Sequence, residues 1–511
     1  MERKVVCYER KNKLIPIEDG SLYGEKNSIF SDSFYGKLVL QNSLVLLLKD
    51  IIISNFKNAK LNVEHTINGG LYCEVFSDIL LCENDIAKIN EIIEKRIEND
   101  ERFSSKYRTK DELLEIFKCE KDKLEVLNDS DINGAFLCEY NNVKEFFFTP
   151  VVDSTSILKG SFIKYYPPGF IVYISKDDVK REQKKLFAIF NESEKWAKIL
   201  GWRSVKNIKE SIENDEIFEL IHVCEALHEK KIVEIANFVD SQRGKLKMIL
   251  IAGPSSSGKT TFLKRLSIQL KVLGLSVVGI SLDDYFLDND KIKVGEDGKK
   301  DFESIDALDV EFFNKNLNSL IKGEEILNPK FDFTTGKRSK DGTKLKMGEN
   351  SILIIEGIHG LNERLTETIP KEMKLKIYVS ALTQINIDNT HRISTTDNRL
   401  IRRIVRDYLF RNHSAETTLK MWKHVREGEE KNIFPYQESA DFFFNSSLLY
   451  ELSVLKNFAK PLLQEIDEKS DFYLDSRRLL FILSFFKEIS IEKIPPTSVL
   501  REFVGGSAFK Y

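Results

Sequence analysis

Residues 253–260 read Gly-Pro-Ser-Ser-Ser-Gly-Lys-Thr, the GxxxxGK[ST] spacing of a loop that wraps phosphate oxygens. The residue types suit that task. Gly253, Pro254, Ser255, Ser256, Ser257 and Gly258 are small enough for backbone N–H groups to close on an anion, and a helix starting just after them adds positive potential. In such a loop Lys259 reaches the β- and γ-phosphates of a nucleotide and the Thr260 hydroxyl ligates Mg²⁺. Thr261 completes the expected nucleotide-binding stretch.

Carboxylates at two further places could serve the same chemistry. The apolar run of "SVVGISLDDYF" ends at Asp283 and Asp284, and that of "SILIIEGIHGLN" ends at Glu356. In open parallel sheets ligands collect outside the carboxyl ends of the strands, so all three acids are candidates to face a nucleotide. Neighbouring residues on a strand point opposite ways, which favours Asp283 over Asp284. A hydrolase needs a group that positions water, whereas a kinase needs a base set against an acceptor hydroxyl. An acid ending the strand after the loop's helix fits the second need.

Fixed positive charge comes from "NRLIRRIVRDYLFRN", with Arg399, Arg402, Arg403, Arg406 and Arg411. Arg399, Arg403 and Arg406 share one helical face, and Arg402 and Arg406 are one turn apart. Three readings stand: a solvated basic helix, a nucleic-acid patch with little aromatic interleaving, or a lid that closes cations over a transferring phosphate. The phosphate loop upstream puts the lid first.

These groups need a scaffold. After Gly244, short apolar runs ("MILIA", "SVVGISL", "SILIIEG", "LKIYVSA", "DFFFN") alternate with longer amphipathic segments. That pattern predicts a doubly wound α/β domain with a parallel sheet covered on both faces. Leu263, Leu266, Leu270 and Leu273 mark the helix after the loop, with Gly274 as its stop. Upstream, "KEFFFTPVV" and "GFIVYIS" read as strands and "ENDIAKINEIIEKRIEND" as an amphipathic helix with Ile86, Ile89, Ile93 and Ile97 on one stripe. The expected divisions are an N-terminal segment at 1–35, an α+β domain at 36–177, a helical connector at 178–243, the phosphate-loop domain at 244–450 and a helical extension at 451–511.

Composition excludes some classes. The 511 residues carry 77 basic and 80 acidic side chains, a net charge of -3, so no global field draws nucleic acid or an anionic membrane. The start has no secretory core, and "SLVLLLKDIII" is broken by Lys49 and Asp50. The six cysteines form no CxxC pair, as expected for reduced thiols in the cytoplasm.

Taken together, "GPSSSGKTT", "SLDDYF", "FESIDALD", "NPKFDFTTGKR", "IIEGIHGLN" and "RRIVRD" resemble, in order and spacing, the uridine kinase/phosphoribulokinase family of P-loop kinases over roughly residues 245–450. The resemblance implies an ATP·Mg²⁺-dependent kinase acting on a small-molecule ribonucleoside, with Asp283 as the base for the ribose 5′-hydroxyl and, beside Thr260, a residue of the metal site. It makes Glu356 the acid at the magnesium site and Glu303 the residue that holds the ribose hydroxyls. It sets Arg403 on the substrate, Arg406 and Arg411 on the nucleotide phosphates, and Phe331, Phe333 and Arg338 in the acceptor segment. Where pyrimidine nucleoside kinases carry Tyr and His, this chain has Phe331 and Gly336, and His413 stands where a further lid arginine is usual. A phosphoribulokinase-like sugar-phosphate kinase and a nucleotide-gated RNA- or tRNA-binding protein are the alternatives. "NAKLNVEHTINGGLYCEV" and "FFFTPVVDSTSILKGSF" resemble the editing-type domain of threonyl-tRNA synthetases, but Asn42, Leu46, Phe147 and Val151 replace that domain's ligating residues. Apolar groups cannot hold a metal, which implies a scaffold without editing chemistry. His65 is expected to be a hydrogen-bonded turn residue.

Overall fold

The structure is a computed structural model that describes residues 4–10, 13–17, 28–77, 80–292, 301–332, 335–339 and 341–510. The chain forms two compact units, one of residues 1–216, 383–397 and 456–488, the other of 217–382, 398–455 and 489–511. Each is described by itself.

The second unit carries the phosphate loop. Its sheet has five parallel strands, β1 Met248–Ala252, β2 Ser276–Ser281, β3 Ser351–Glu356, β4 Lys374–Ser380 and β5 Phe442–Asn445, in the spatial order β2-β3-β1-β4-β5. The principal helices are α1 Ile217–Ser241, α2 Lys259–Val272, α3 Val310–Ile321, α4 Thr395–Arg411 and α5 Ala415–Asn432. Alternation along the strands explains why both faces are covered. Ile249 and Ile251 of β1, with Ile352 and Ile354 of β3, pack on Ile232, Phe262 and Leu266 of α1 and α2. Met248 and Leu250, with Leu353 and Ile355, face Phe313 and Leu317 of α3 on the other side. This is the doubly wound α/β fold expected for this half. Because every strand is parallel, β1, β2 and β3 end at one edge, where their following loops meet.

The first unit is α+β. A four-stranded antiparallel sheet (Lys60–Ile67, Gly70–Phe76, Gly169–Tyr173, Phe162–Tyr166) and a three-stranded one (Ser104–Thr109, Gly134–Tyr140, Val143–Phe147) share a core with helices Phe34–Asn55 and Glu83–Glu98. A small sheet of Val5–Arg10, Lys13–Ile15 and Ser28–Phe30 precedes them. Leu46, Phe147 and Val151 lie in that core, while Asn42 donates to the Thr149 hydroxyl at 3.0 Å. His65 departs from the expected turn. It sits within strand Lys60–Ile67, its ring stacked on Phe190 at 3.7 Å, because an imidazole with aromatic neighbours packs as a flat apolar plate. Burial lowers its pKa to about 3, so it is neutral. Glu145 is fully buried and paired with Lys49 at 2.8 Å and with Lys123. All six cysteines are free, and among the described residues no helix is long and apolar enough to cross a membrane.

Candidate active site

The phosphate loop runs from the end of β1 into α2. Gly258 has φ +80 and Ser256 φ +57; the first suits glycine, and the second is a left-handed serine, an uncommon conformation held by its surroundings. Lys259 folds back over the loop, its Nζ donating to the carbonyls of Gly253 at 3.0 Å and Pro254 at 3.1 Å. Burial lowers the Lys259 pKa, opposed by the charges of Glu356, Glu502 and Asp283. Thr260 points its hydroxyl at Glu356, 3.4 and 3.5 Å from the two carboxylate oxygens.

The two adjacent acids diverge, but not by strand alternation, because both lie past the end of β2. A short 3₁₀ turn, Leu282–Tyr285, follows β2 and presents Asp283 and Asp284. Asp283 reaches solvent yet is crowded by protein atoms; the crowding raises its pKa, Lys259 opposes that, and Arg411 also acts on it. Asp284 instead accepts from the Phe331 backbone and the Asn328 side chain, and burial raises it. Glu356, at the end of β3, is pushed up to about 7 by burial, with Lys259 opposing and Glu502 and Asp283 adding to the rise. Lys259, Thr260, Asp283 and Glu356 thus form one electrostatic cluster at the carboxyl edge of the sheet. Thr260 and Glu356 offer hard oxygen donors side by side, a donor set that fits a magnesium ion.

The five arginines of α4 divide into two sets. Arg399 and Arg402 are 1% and 0% exposed, so the solvated basic helix does not describe them. Arg399 donates to the Ser255 carbonyl at 2.9 Å and pairs with Glu429. Arg402 donates to the Ser256 carbonyl at 3.4 Å and to Glu451 at 2.8 Å, and lies 4.9 Å from the Phe503 ring. Both hold the outer side of the loop. Arg403, Arg406 and Arg411 converge instead on Asp407, at 3.1, 3.1 and 3.3 Å. Arg403 also donates to the Ser255 hydroxyl at 2.7 Å.

The acceptor segment lies beside this cluster. Glu303 is raised to about 7 by burial and by Glu429, with Arg403 opposing and Asp283 adding to the rise. His359, 1% exposed, lies against the backbone of Glu303 and Ser304, and burial lowers it to about 4. Phe331 is a core residue, 5.6 Å from Phe286. Arg338 directs its guanidinium to Asp309 at 3.0 Å and to the Phe286 carbonyl at 3.2 Å. Phe333 lies outside the described residues. Gly336 has φ +65, and a Cβ there would stand 1.9 Å from the Asn289 amide nitrogen, so no side chain fits at that position without rearrangement.

The sequence model of the phosphoribulokinase/uridine kinase family matches residues 248–450. Uridine kinase of Borrelia duttonii (strain Ly) is 31% identical over 230 residues, which are 43% of this chain and 97% of that protein. The chain belongs to the phosphoribulokinase/uridine kinase family. Uridine kinase of Deinococcus deserti is 27% identical over 195 residues, covering 38% of this chain and 84% of the relative. A Bacillus stearothermophilus structure described as a possible uridine kinase aligns with 18% identity and a TM-score of 0.29, over 42% of this chain and 98% of that one. The family-matched part is a P-loop kinase, and the chain is a transferase.

Within this family member, several residues at the site escaped the sequence reading. Glu429 of α5, 1% exposed, accepts from the Ser255 N–H at 2.9 Å while paired with Arg399 and, at 2.8 Å, with Arg426. Asp407, fully buried, gathers the three outer arginines; its place inside "RRIVRD" was a usable signal, since a carboxylate one turn from Arg403 can pair with it. Glu502 reaches Thr261 from a segment outside the matched residues, and no spacing rule points to it.

Proposed function

We propose that this chain is an ATP-dependent kinase that transfers the γ-phosphate to the 5′-hydroxyl of a ribonucleoside. The observation that carries the reading is the position of Asp283: just past the end of the strand following the loop's helix, within electrostatic reach of Lys259, Glu356 and Glu303. A base belongs between the phosphate cradle and the acceptor.

In this reading the N–H groups of the loop and of the first turn of α2 bind the nucleotide phosphates, and Lys259 leaves the loop carbonyls to neutralise the β- and γ-oxygens. Asp283 accepts the proton of the attacking hydroxyl. Glu303 holds the ribose hydroxyls, and Arg403, Arg406 and Arg411 compensate charge on the transferring group. Thr260 and Glu356, with Asp283 beside them, would hold Mg²⁺, which when bound supplies Lewis-acid neutralisation of phosphate charge. Gly336 offers no side chain to hydrogen-bond a base, and Phe331 is engaged in the core; a site without such partners discriminates bases weakly, so we assign an acceptor range broader than uridine and cytidine. For residues 36–177 we propose a synthetase-type scaffold without editing chemistry, which the burial of Leu46, Phe147 and Val151 supports.

The test is a phosphorylation assay with ATP over a panel of ribonucleosides, free sugars and sugar phosphates, read by mass. One or more ribonucleosides should gain a single phosphate. Lys259→Ala should abolish the product, and Asp283→Asn should lower kcat by roughly 10²- to 10⁴-fold. No turnover of any ribonucleoside, with turnover of a sugar phosphate, would move the chain to the sugar-kinase side of its family.

A further inference from the structure

We infer that Glu502 belongs to the nucleotide site and sets its affinity: its carboxylate holds the place at the start of α2 that a nucleotide phosphate takes, and must swing out before ATP is bound. The inference rests on the ATP site proposed above. Thr261 is the third residue of α2, so its N–H is one of the donors at a helix start that lack a partner within the helix. Those donors, at the positive end of the helix, are what a P-loop uses to hold phosphate. Here Glu502 accepts from the Thr261 N–H at 3.1 Å and from the Thr261 hydroxyl at 2.7 Å. It is close enough to Lys259 and Glu356 to shift both of their protonation equilibria. A phosphate oxygen and a carboxylate oxygen cannot accept from one N–H together, and two anions at that spacing repel.

The movement required is confined to the side chain. The segment bearing Glu502 is fastened on either side. Val499, Leu500 and Phe503 are fully buried, and Arg402 stacks on Phe503. Arg501 donates to the Ile491 carbonyl at 2.9 Å and the Ile494 carbonyl at 2.5 Å, and Ala508 N–H to the Pro496 carbonyl at 2.9 Å. Glu502 itself is half-buried and can change rotamer without unseating its neighbours. The segment lies beyond the family-matched residues.

The experiment is calorimetric titration of MgATP, with no acceptor present, into the full chain, Glu502→Gln and Glu502→Ala, alongside thermal melting. Glu502→Gln retains an oxygen for Thr261 and loses the charge, so melting should be unchanged while MgATP binds about tenfold tighter, about 1.4 kcal/mol. Glu502→Ala should bind at least as tightly as Glu502→Gln. Equal or weaker binding by Glu502→Gln makes Glu502 a plain helix cap and overturns the inference, as does failure of both variants to bind MgATP. Because no acceptor is present, an acceptor other than a ribonucleoside leaves this result standing.

Discussion

Glu303 is the residue whose charge state matters most near neutral pH. Its carboxyl is raised to about 7, so the ionised share grows from a minority at pH 6 to a majority at pH 8. An ionised carboxylate accepts two ribose hydroxyls better than a protonated one. The KM for the nucleoside should therefore fall by up to about tenfold across that interval, and Glu303→Gln should flatten the profile. A KM that stays level in the parent chain would remove Glu303 from the sugar. Asp283 and Asp284 show how far residue identity can mislead. Two identical carboxyls side by side serve different partners, one facing Lys259 and the other the Phe331 backbone. Strand alternation favoured Asp283 from the sequence, but both acids lie past the end of β2, and it is the 3₁₀ turn there that sets which of the two meets the lysine.

At the scale of elements, α4 is two helices in function. Arg399 and Arg402 are buried against the loop with Glu429 and Glu451 as counter-charges, and breaking such a pair leaves an uncompensated buried charge. Glu451→Gln should lower unfolding free energy by about 3 kcal/mol or more in urea titration. Arg406→Ala touches a position whose acid, Asp407, keeps two other arginines. It should cost less stability than Glu451→Gln while lowering kcat roughly a hundredfold. A large loss of stability in Arg406→Ala with kcat intact would reverse that division. The sequence named α4 as cationic and set it near phosphate. It could not separate clamps from cleft cations, because both sets have the same side chain and overlapping helical spacing; burial alone divides them.

At the scale of the whole molecule, the first unit has an internal polar knot. Burial works to raise Glu145, but Lys123 and Lys49 overcome it and hold the carboxyl at about 2, against 4.5 for a free glutamate. The stabilisation is complete above the unfolded value and is lost as pH falls from 4.5 towards 2, roughly 3 kcal/mol from this group. Acid unfolding of the first unit, followed by circular dichroism, should begin below pH 4.5 and shift to higher pH in Lys49→Met. An unchanged midpoint would show that the pair contributes little net stability. Across both units, the sequence alone determined the α/β class of the kinase half, the phosphate loop and the strand ends that bear acids, because strand length, apolar alternation and turn residues are local properties of a chain. Tertiary structure alone decided which acids and cations meet. Glu429 stands on the Ser255 N–H and Glu502 on Thr261, across 174 and 241 residues of chain. Contacts at that separation are set by packing of whole elements, and no local spacing encodes them.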